Sequence, residues 1–89
     1  MAWTIEIERD AQKDIAKLDR TVAKRILSFL FDRLSKLEDP HSIGEPLHGS
    51  KFGELWKYRV GDYRIIANLN DGRLIIVVVR VGHRREVYR

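Results

Sequence analysis

An α+β fold with its elements in the order β-α-α-β-β-β is predicted for this 89-residue chain by three observations. Apolar and polar residues alternate near the N-terminus. Apolar residues then recur every three or four positions from about residue 11 to residue 37. Beyond residue 53, three runs rich in β-branched and aromatic residues are separated by short Gly- and Asn-containing turns. Two helices covering one face of a mainly antiparallel four-stranded sheet satisfy this pattern.

Each element has its own justification. Trp3, Ile5 and Ile7 alternate with Thr4, Glu6 and Glu8, the mark of a half-buried strand. Asp10 is the expected cap of the first helix, which carries Ala11, Ile15 and Leu18 on one stripe. Asp19 or Thr21 restarts a longer helix whose stripe is Val22, Ile26, Leu30, Leu34 and Leu37, widened by Leu27 and Phe29. Glu38-Asp39-Pro40 ends it, because proline disfavours helix at the residue before it. Residues 39–53, with their Gly, Pro, His and Ser, read as a loop. Strands are expected at about 54–60, 62–69 and 73–81.

The hairpin LWKYRVGDYR fixes a register. Gly61-Asp62 reads as a two-residue loop with glycine first. Val60 then faces Tyr63, Arg59 faces Arg64, Tyr58 faces Ile65 and Lys57 faces Ile66. Trp56, Tyr58, Val60, Tyr63, Ile65 and Ala67 share the face expected to meet the helices. Lys57, Arg59 and Arg64 share the other, expected to meet solvent. Asn70-Asp71-Gly72 joins the last two strands, and the pattern leaves open which face Arg80 takes. The run LIIVVV at 74–79 is apolar on both faces, which places its strand in the interior of the sheet.

Composition narrows the function classes. The length suits one domain spanning residues 1–89. The chain has no cysteine, which excludes disulfides and thiolate chemistry. MAWTIEIERD does not have the form of a signal peptide, and LIIVVV is too short to cross a bilayer, so no membrane role and a cytoplasmic location are expected. His41, His48 and His83 lack metal-site spacing, and no phosphate-binding glycine motif or nucleophile elbow occurs, so neither metal nor cofactor is expected.

The net charge is +4, with 17 Lys plus Arg against 13 Asp plus Glu. From Lys51 to Arg89 the balance is nine to four, so the excess lies in the C-terminal half. Like charges directly opposite on a sheet destabilise it by about 0.2–1 kcal/mol. The Arg59–Arg64 pair, with Lys57 beside it, is tolerable where an anion or an acidic partner neutralises it. Arginine grips two phosphate oxygens at once and stays charged at any working pH. The tail VGHRREVYR adds His83, Arg84, Arg85 and Tyr88 close to the strand that pairs with Arg64.

The element order, LWKYRVGDYRII and the ending VVVRVGHRREVY together resemble the RelE/ParE superfamily of toxin proteins, and the RelE branch in particular. The resemblance covers essentially the whole chain and implies the toxin of a type II toxin–antitoxin pair. It implies a metal-independent endoribonuclease that enters the A site of the small ribosomal subunit and cuts mRNA there through the 2′-hydroxyl. It also implies a cognate antitoxin of the RelB type, acidic and partly disordered alone, that wraps the toxin. By position, Lys57 and Arg59 match the family's basic pair, Arg64 the arginine of its Tyr-Arg motif, Arg84 its catalytic arginine after Val-Gly, and Tyr88 the proposed general base. Lys51, His83 and Arg85 are further expected RNA contacts. Arg59 stands where the family has lysine, His83 often corresponds to lysine, and the sequence ends before the family's short C-terminal helix.

Two other readings remain on sequence grounds. A ParE-like inhibitor of DNA gyrase shares the fold without cutting RNA. A non-catalytic RNA- or protein-binding module would use the same basic sheet. Between Tyr88 and His83 as general base, the sequence leaves the choice open.

Overall fold

The computed structural model describes residues 2–47 and 55–83. Its elements are β1 (Thr4–Ile7), α1 (Arg9–Ala16), α2 (Arg20–Ser28), β2 (Glu45–Pro46), β3 (Leu55–Val60), β4 (Tyr63–Asn70) and β5 (Ile75–His83). The five strands form one mixed sheet in the order β1-β5-β4-β3-β2. β1 runs parallel to β5, and the other pairings are antiparallel. The α+β architecture and the interior position of β5 follow the expectation.

The sheet has one strand more than the four expected. β2 falls inside the presumed loop, pairing Glu45 with Lys57 and Pro46 with Trp56. It sits at the sheet edge, where a proline costs no ladder hydrogen bond. The same segment holds a single 3₁₀ turn, Pro40–Ile43, capped by the Asp39 side chain through the backbone N–H of His41.

The helices also depart in detail. α1 starts at Arg9, with Glu8 at the cap position and no side-chain cap; Asp10 lies inside the first turn rather than capping it. There its charge complements the positive end of the helix. α2 begins as expected, with Asp19 accepting the backbone N–H of Thr21. It does not continue as a plain α-helix. A π-helical turn at Phe29–Arg33 follows, then a 3₁₀ turn at Leu34–Lys36. The reason is in the stripe. Val22, Ile26, Leu30 and Leu34 recur every four residues, but an α-helix turns in 3.6, so such a stripe drifts around the axis. A wider π turn absorbs the surplus and returns Leu30 and Leu34 to the core, where both are fully buried.

The core lies between these helices and one face of the sheet. Ala11, Ile26, Leu30 and Leu34 pack with Tyr58, Ile65, Ala67, Leu69, Ile76, Val78 and Val81. All six residues expected on the inward face of the hairpin belong to this cluster, with Trp56, Val60 and Tyr63 at its border. The β4–β5 connection is longer than expected. β5 starts at Ile75, and the Asn70 side chain closes the turn by accepting the backbone N–H of Arg73. No described helix is long and apolar enough to cross a membrane.

Candidate functional site

The site is built on the β3–β4 hairpin. Its observed register is Val60–Tyr63, Arg59–Arg64, Tyr58–Ile65 and Lys57–Ile66, as the loop length requires. Gly61 supplies the positive φ of 59° that the turn needs. On the far side of β4, Arg64 pairs with Gly82, so the residue facing it from β5 has no side chain. The sheet therefore sets Arg64 between Arg59 and Gly82.

Arg64 does not reach into solvent beside Lys57 and Arg59, as the alternation suggested. It is only 9% exposed. Its guanidinium turns back along the hairpin, and Nη1 donates to the Tyr63 carbonyl at 3.2 Å and, at the limit of a hydrogen bond, to the Gly61 carbonyl at 3.5 Å. Backbone dipoles thus compensate a charge that alternation alone places against Arg59. Arg59 is exposed. Lys57 is half-buried, with its ammonium 3.5 Å from the Glu45 carboxylate of β2. The three cations share one sheet face at three depths.

His83 takes the other face. It pairs with Tyr63, and the two rings meet edge to face at 5.7 Å. Lys51, Arg84, Arg85 and Tyr88 lie outside the described residues.

Two features that carry no sequence signal support the site. β1 pairs with β5 only from Ile75 to Val78, which leaves the edge of β5 open beyond that point. Asp14 of α1 closes it. Its Oδ2 accepts the backbone N–H of Val81 at 2.9 Å, and its carboxylate holds Arg80 through Nε at 2.9 Å and Nη2 at 3.4 Å. Burial alone pushes the Asp14 carboxyl up, but the hydrogen bonds from Arg80 and Val81 and the charges of Arg80 and Lys17 outweigh it and hold it below its usual value. This settles Arg80: its register partner is Ile66, next to a bulge between Ile66 and Ala67, and its guanidinium is committed to α1.

Tyr58 is the second. It is 1% exposed, and its hydroxyl donates to the Pro40 carbonyl at 2.8 Å. Burial, with the nearby Asp39 carboxylate, pushes its phenol far above the usual tyrosine value. Tyr58 is therefore a fixed donor that ties the 3₁₀ turn to the sheet.

His41 of that turn sits between two carboxylates. Nδ1 is 2.8 Å from Asp39 Oδ1, and Nε2 is 3.5 Å from Asp71 Oδ2. The carboxylates meet opposite nitrogens of one ring, so they do not converge on a common point. Among the described residues no cluster of His, Asp or Glu is placed to share a metal ion. The ring also stands edge-on to Trp56 at 4.6 Å.

The chain matches known proteins over nearly its whole length. The family model described as the ParE toxin of the type II toxin–antitoxin system parDE matches residues 5–88. The chain is 30% identical over its whole length to toxin RelG of Mycobacterium tuberculosis, covering 99% of that protein. It is 31% identical over 98% of its length to toxin RelE of the same organism, covering 87% of it. Among solved structures, a chain of the RelBE2 toxin–antitoxin complex of M. tuberculosis superposes with a TM-score of 0.83 at 27% identity, covering 94% of this chain and all of that one. A chain of the archaeal RelE–RelB complex of Pyrococcus horikoshii superposes with a TM-score of 0.76 at 25% identity, covering 98% of this chain and 100% of that one. With the family model spanning nearly the whole chain and RelE-named toxins matching it end to end, the protein belongs to the RelE/ParE superfamily of type II toxin–antitoxin toxins.

Proposed function

We propose that this toxin is a metal-independent endoribonuclease that cuts mRNA in the A site of the ribosome. The observation that carries the reading is the placement of Lys57, Arg59 and Arg64 on one sheet face, with Arg64 in register with Gly82, two residues before Arg84. In the cleavage step a base takes the proton of the 2′-hydroxyl, and the 2′-oxygen attacks the adjacent phosphorus. The bond from phosphorus to the 5′-oxygen breaks, and that oxygen takes up a proton. A 2′,3′-cyclic phosphate and a 5′-hydroxyl remain. Arg64 and Arg84 hold the phosphate oxygens as charge builds on the phosphorane. Lys57 and Arg59 bind phosphate or protonate the leaving oxygen, Tyr88 is the base, and Lys51, His83 and Arg85 hold flanking RNA.

Residues 1–89 act as one toxin domain in the cytoplasm. An acidic antitoxin of the RelB type masks the basic face, in keeping with the toxin–antitoxin complexes that this fold resembles. Such a site has no strong acid–base pair, so its rate depends on the ribosome to align the mRNA.

A translating extract tests the reading. Purified protein should generate new RNA ends within ribosome-bound codons. Absence of such ends at protein concentrations above that of ribosomes overturns it. The ParE description of the matching family model favours one second reading, inhibition of DNA gyrase without RNA cleavage. A supercoiling defect with intact mRNA would establish that reading instead.

A further inference from the structure

A second basic surface lies outside the candidate cleavage site. An open groove runs between α2 with its π turn and the tip of the β3–β4 hairpin, lined by Lys24, Arg25, Ser28, Phe29, Arg33 and Val60. Lys24, Arg25 and Arg33 are all exposed, and none pairs with a carboxylate among the described residues. This contrasts with Arg80 and Lys57, which have Asp14 and Glu45. One carboxylate, Asp32, also lines the groove, and its Oδ2 accepts the Ser28 hydroxyl at 3.0 Å. The groove is left with a net positive charge that nothing in the described fold neutralises.

We propose that this groove binds the phosphodiester backbone of an RNA. The proposal rests on the reading of the protein as a toxin that acts on RNA, and adds a contact surface that the cleavage chemistry does not use. Three observations favour nucleic acid over an acidic peptide. The floor of the groove is a rigid aromatic: Phe29 is braced against Tyr58 with ring centroids 6.0 Å apart. The Arg33 guanidinium lies 6.0 Å from the Phe29 ring centre. A planar cation over an aromatic ring is a platform on which an unpaired base stacks.

The groove also continues toward the candidate cleavage site. Arg25 reaches the hairpin tip, with its guanidinium nitrogens 3.6 and 3.7 Å from where a Cβ on Gly61 would stand. The Gly61 carbonyl, in turn, faces Arg64. Two guanidinium groups thus bracket a single turn, one from α2 and one from β4. A polyanion held at Arg64 meets a second row of cations on passing the tip.

The experiment measures binding without ribosomes or cleavage. The full chain is titrated into fluorescent 2′-O-methyl RNA, which has no free 2′-hydroxyl, as a single strand and as a hairpin duplex, with polyglutamate as the acidic-peptide control. The comparison is between wild type and Lys24→Gln/Arg25→Gln/Arg33→Gln across a salt series. Each lost phosphate contact lowers the slope of log affinity against log salt by about 0.7 for a single strand and about 0.9 for a duplex. The triple variant should lose about 2 units of slope on the single strand or about 2.7 on the duplex. Loss on the single strand alone identifies RNA flanking the cut site, and loss on the duplex alone identifies a structured RNA. Unchanged slopes on both probes overturn the proposal, as does loss of polyglutamate binding with RNA binding intact. If the triple variant does not fold, Lys24→Gln alone, at an exposed position, should remove about 0.7–0.9 units. Failure of the cleavage reading would leave these slopes as they are, so the two can fail separately.

Discussion

Asp14 and Val81 are joined by a hydrogen bond of 2.9 Å between a helix side chain and a strand N–H, across 67 positions of sequence. The bond meets the need of the open edge of β5, where an unpaired N–H would otherwise be left. Asp14→Ala removes that acceptor and strands Arg80, and should cost about 1–3 kcal/mol in urea unfolding at neutral pH. The pH dependence has a definite sign. The folded carboxyl is held below its unfolded value, near 3.9, so its stabilisation is fully present above that value. It is lost as pH falls through the folded pKa. The difference between wild type and Asp14→Ala should therefore shrink only below about pH 4. A difference that is constant from neutral to strongly acid pH would show that the carboxylate charge is not what α1 contributes.

Tyr58 and Gly44 depend on one another. A Cβ on Gly44 would stand 2.8 Å from Tyr58 Cε1 and 2.9 Å from Cζ, inside any permitted contact. Gly44→Ala should destabilise the fold by about 1–3 kcal/mol, the usual cost of overpacking a rigid site. Tyr58→Phe leaves the ring but orphans the Pro40 carbonyl, for a loss of about 1–3 kcal/mol. The double variant should cost less than the sum, because the ring without its hydroxyl bond is freer to shift. Strict additivity in thermal unfolding would contradict the coupling.

Arg64 has two duties, and they separate by experiment. Its guanidinium is anchored to the hairpin carbonyls and is the proposed phosphate clamp. Arg64→Ala should lower single-turnover cleavage on the ribosome by about 10²–10³, the cost of one pre-organised donor to developing charge. Arg64→Lys keeps the charge but not the planar fork, and should recover only part of that loss. Cleavage by Arg64→Ala within about threefold of wild type would assign the residue to folding alone.

The general base is tested by a pair of substitutions. Tyr88→Phe removes only the titratable hydroxyl and should lower cleavage by about 10²–10⁴ without weakening ribosome binding. His83, whose ring packs edge-on to Tyr63 on the face away from Arg64, should tolerate Ala with a smaller loss. The reverse pattern would make His83 the base.

The register of the central hairpin was legible because a two-residue loop leaves the strands no other alignment, and every expected pair from Lys57–Ile66 to Val60–Tyr63 is present. The inward face was legible for the same reason. Exposure was not. Alternation gives the direction in which Arg64 leaves the strand, but its side chain is long enough to fold back onto carbonyls that alternation does not describe. β2 escaped notice because two residues, one of them proline, have no period. The π turn did leave a trace, the strict four-residue spacing of Val22, Ile26, Leu30 and Leu34, which an unbroken α-helix does not keep on one side. The Asp14 clasp left none, because one of its partners is the Val81 backbone N–H, which any residue supplies, and the other, Arg80, lies 66 positions away in sequence.

The parallel pairing of β1 with β5 has a consequence for the protein's manufacture. Among the described residues β1 has no neighbour in the sheet except β5, which spans Ile75–His83. A chain made from the N-terminus outward therefore holds its first strand without this partner until β5 has been added. Such non-local closure belongs to slow folding, on the scale of milliseconds to seconds. The helices and the central hairpin can form early, yet the strand that carries Gly82 beside Arg64 joins them last of the described strands. The register of Arg64 with Gly82, on which the proposed site is built, is thus among the last pairings that synthesis makes possible within this sheet.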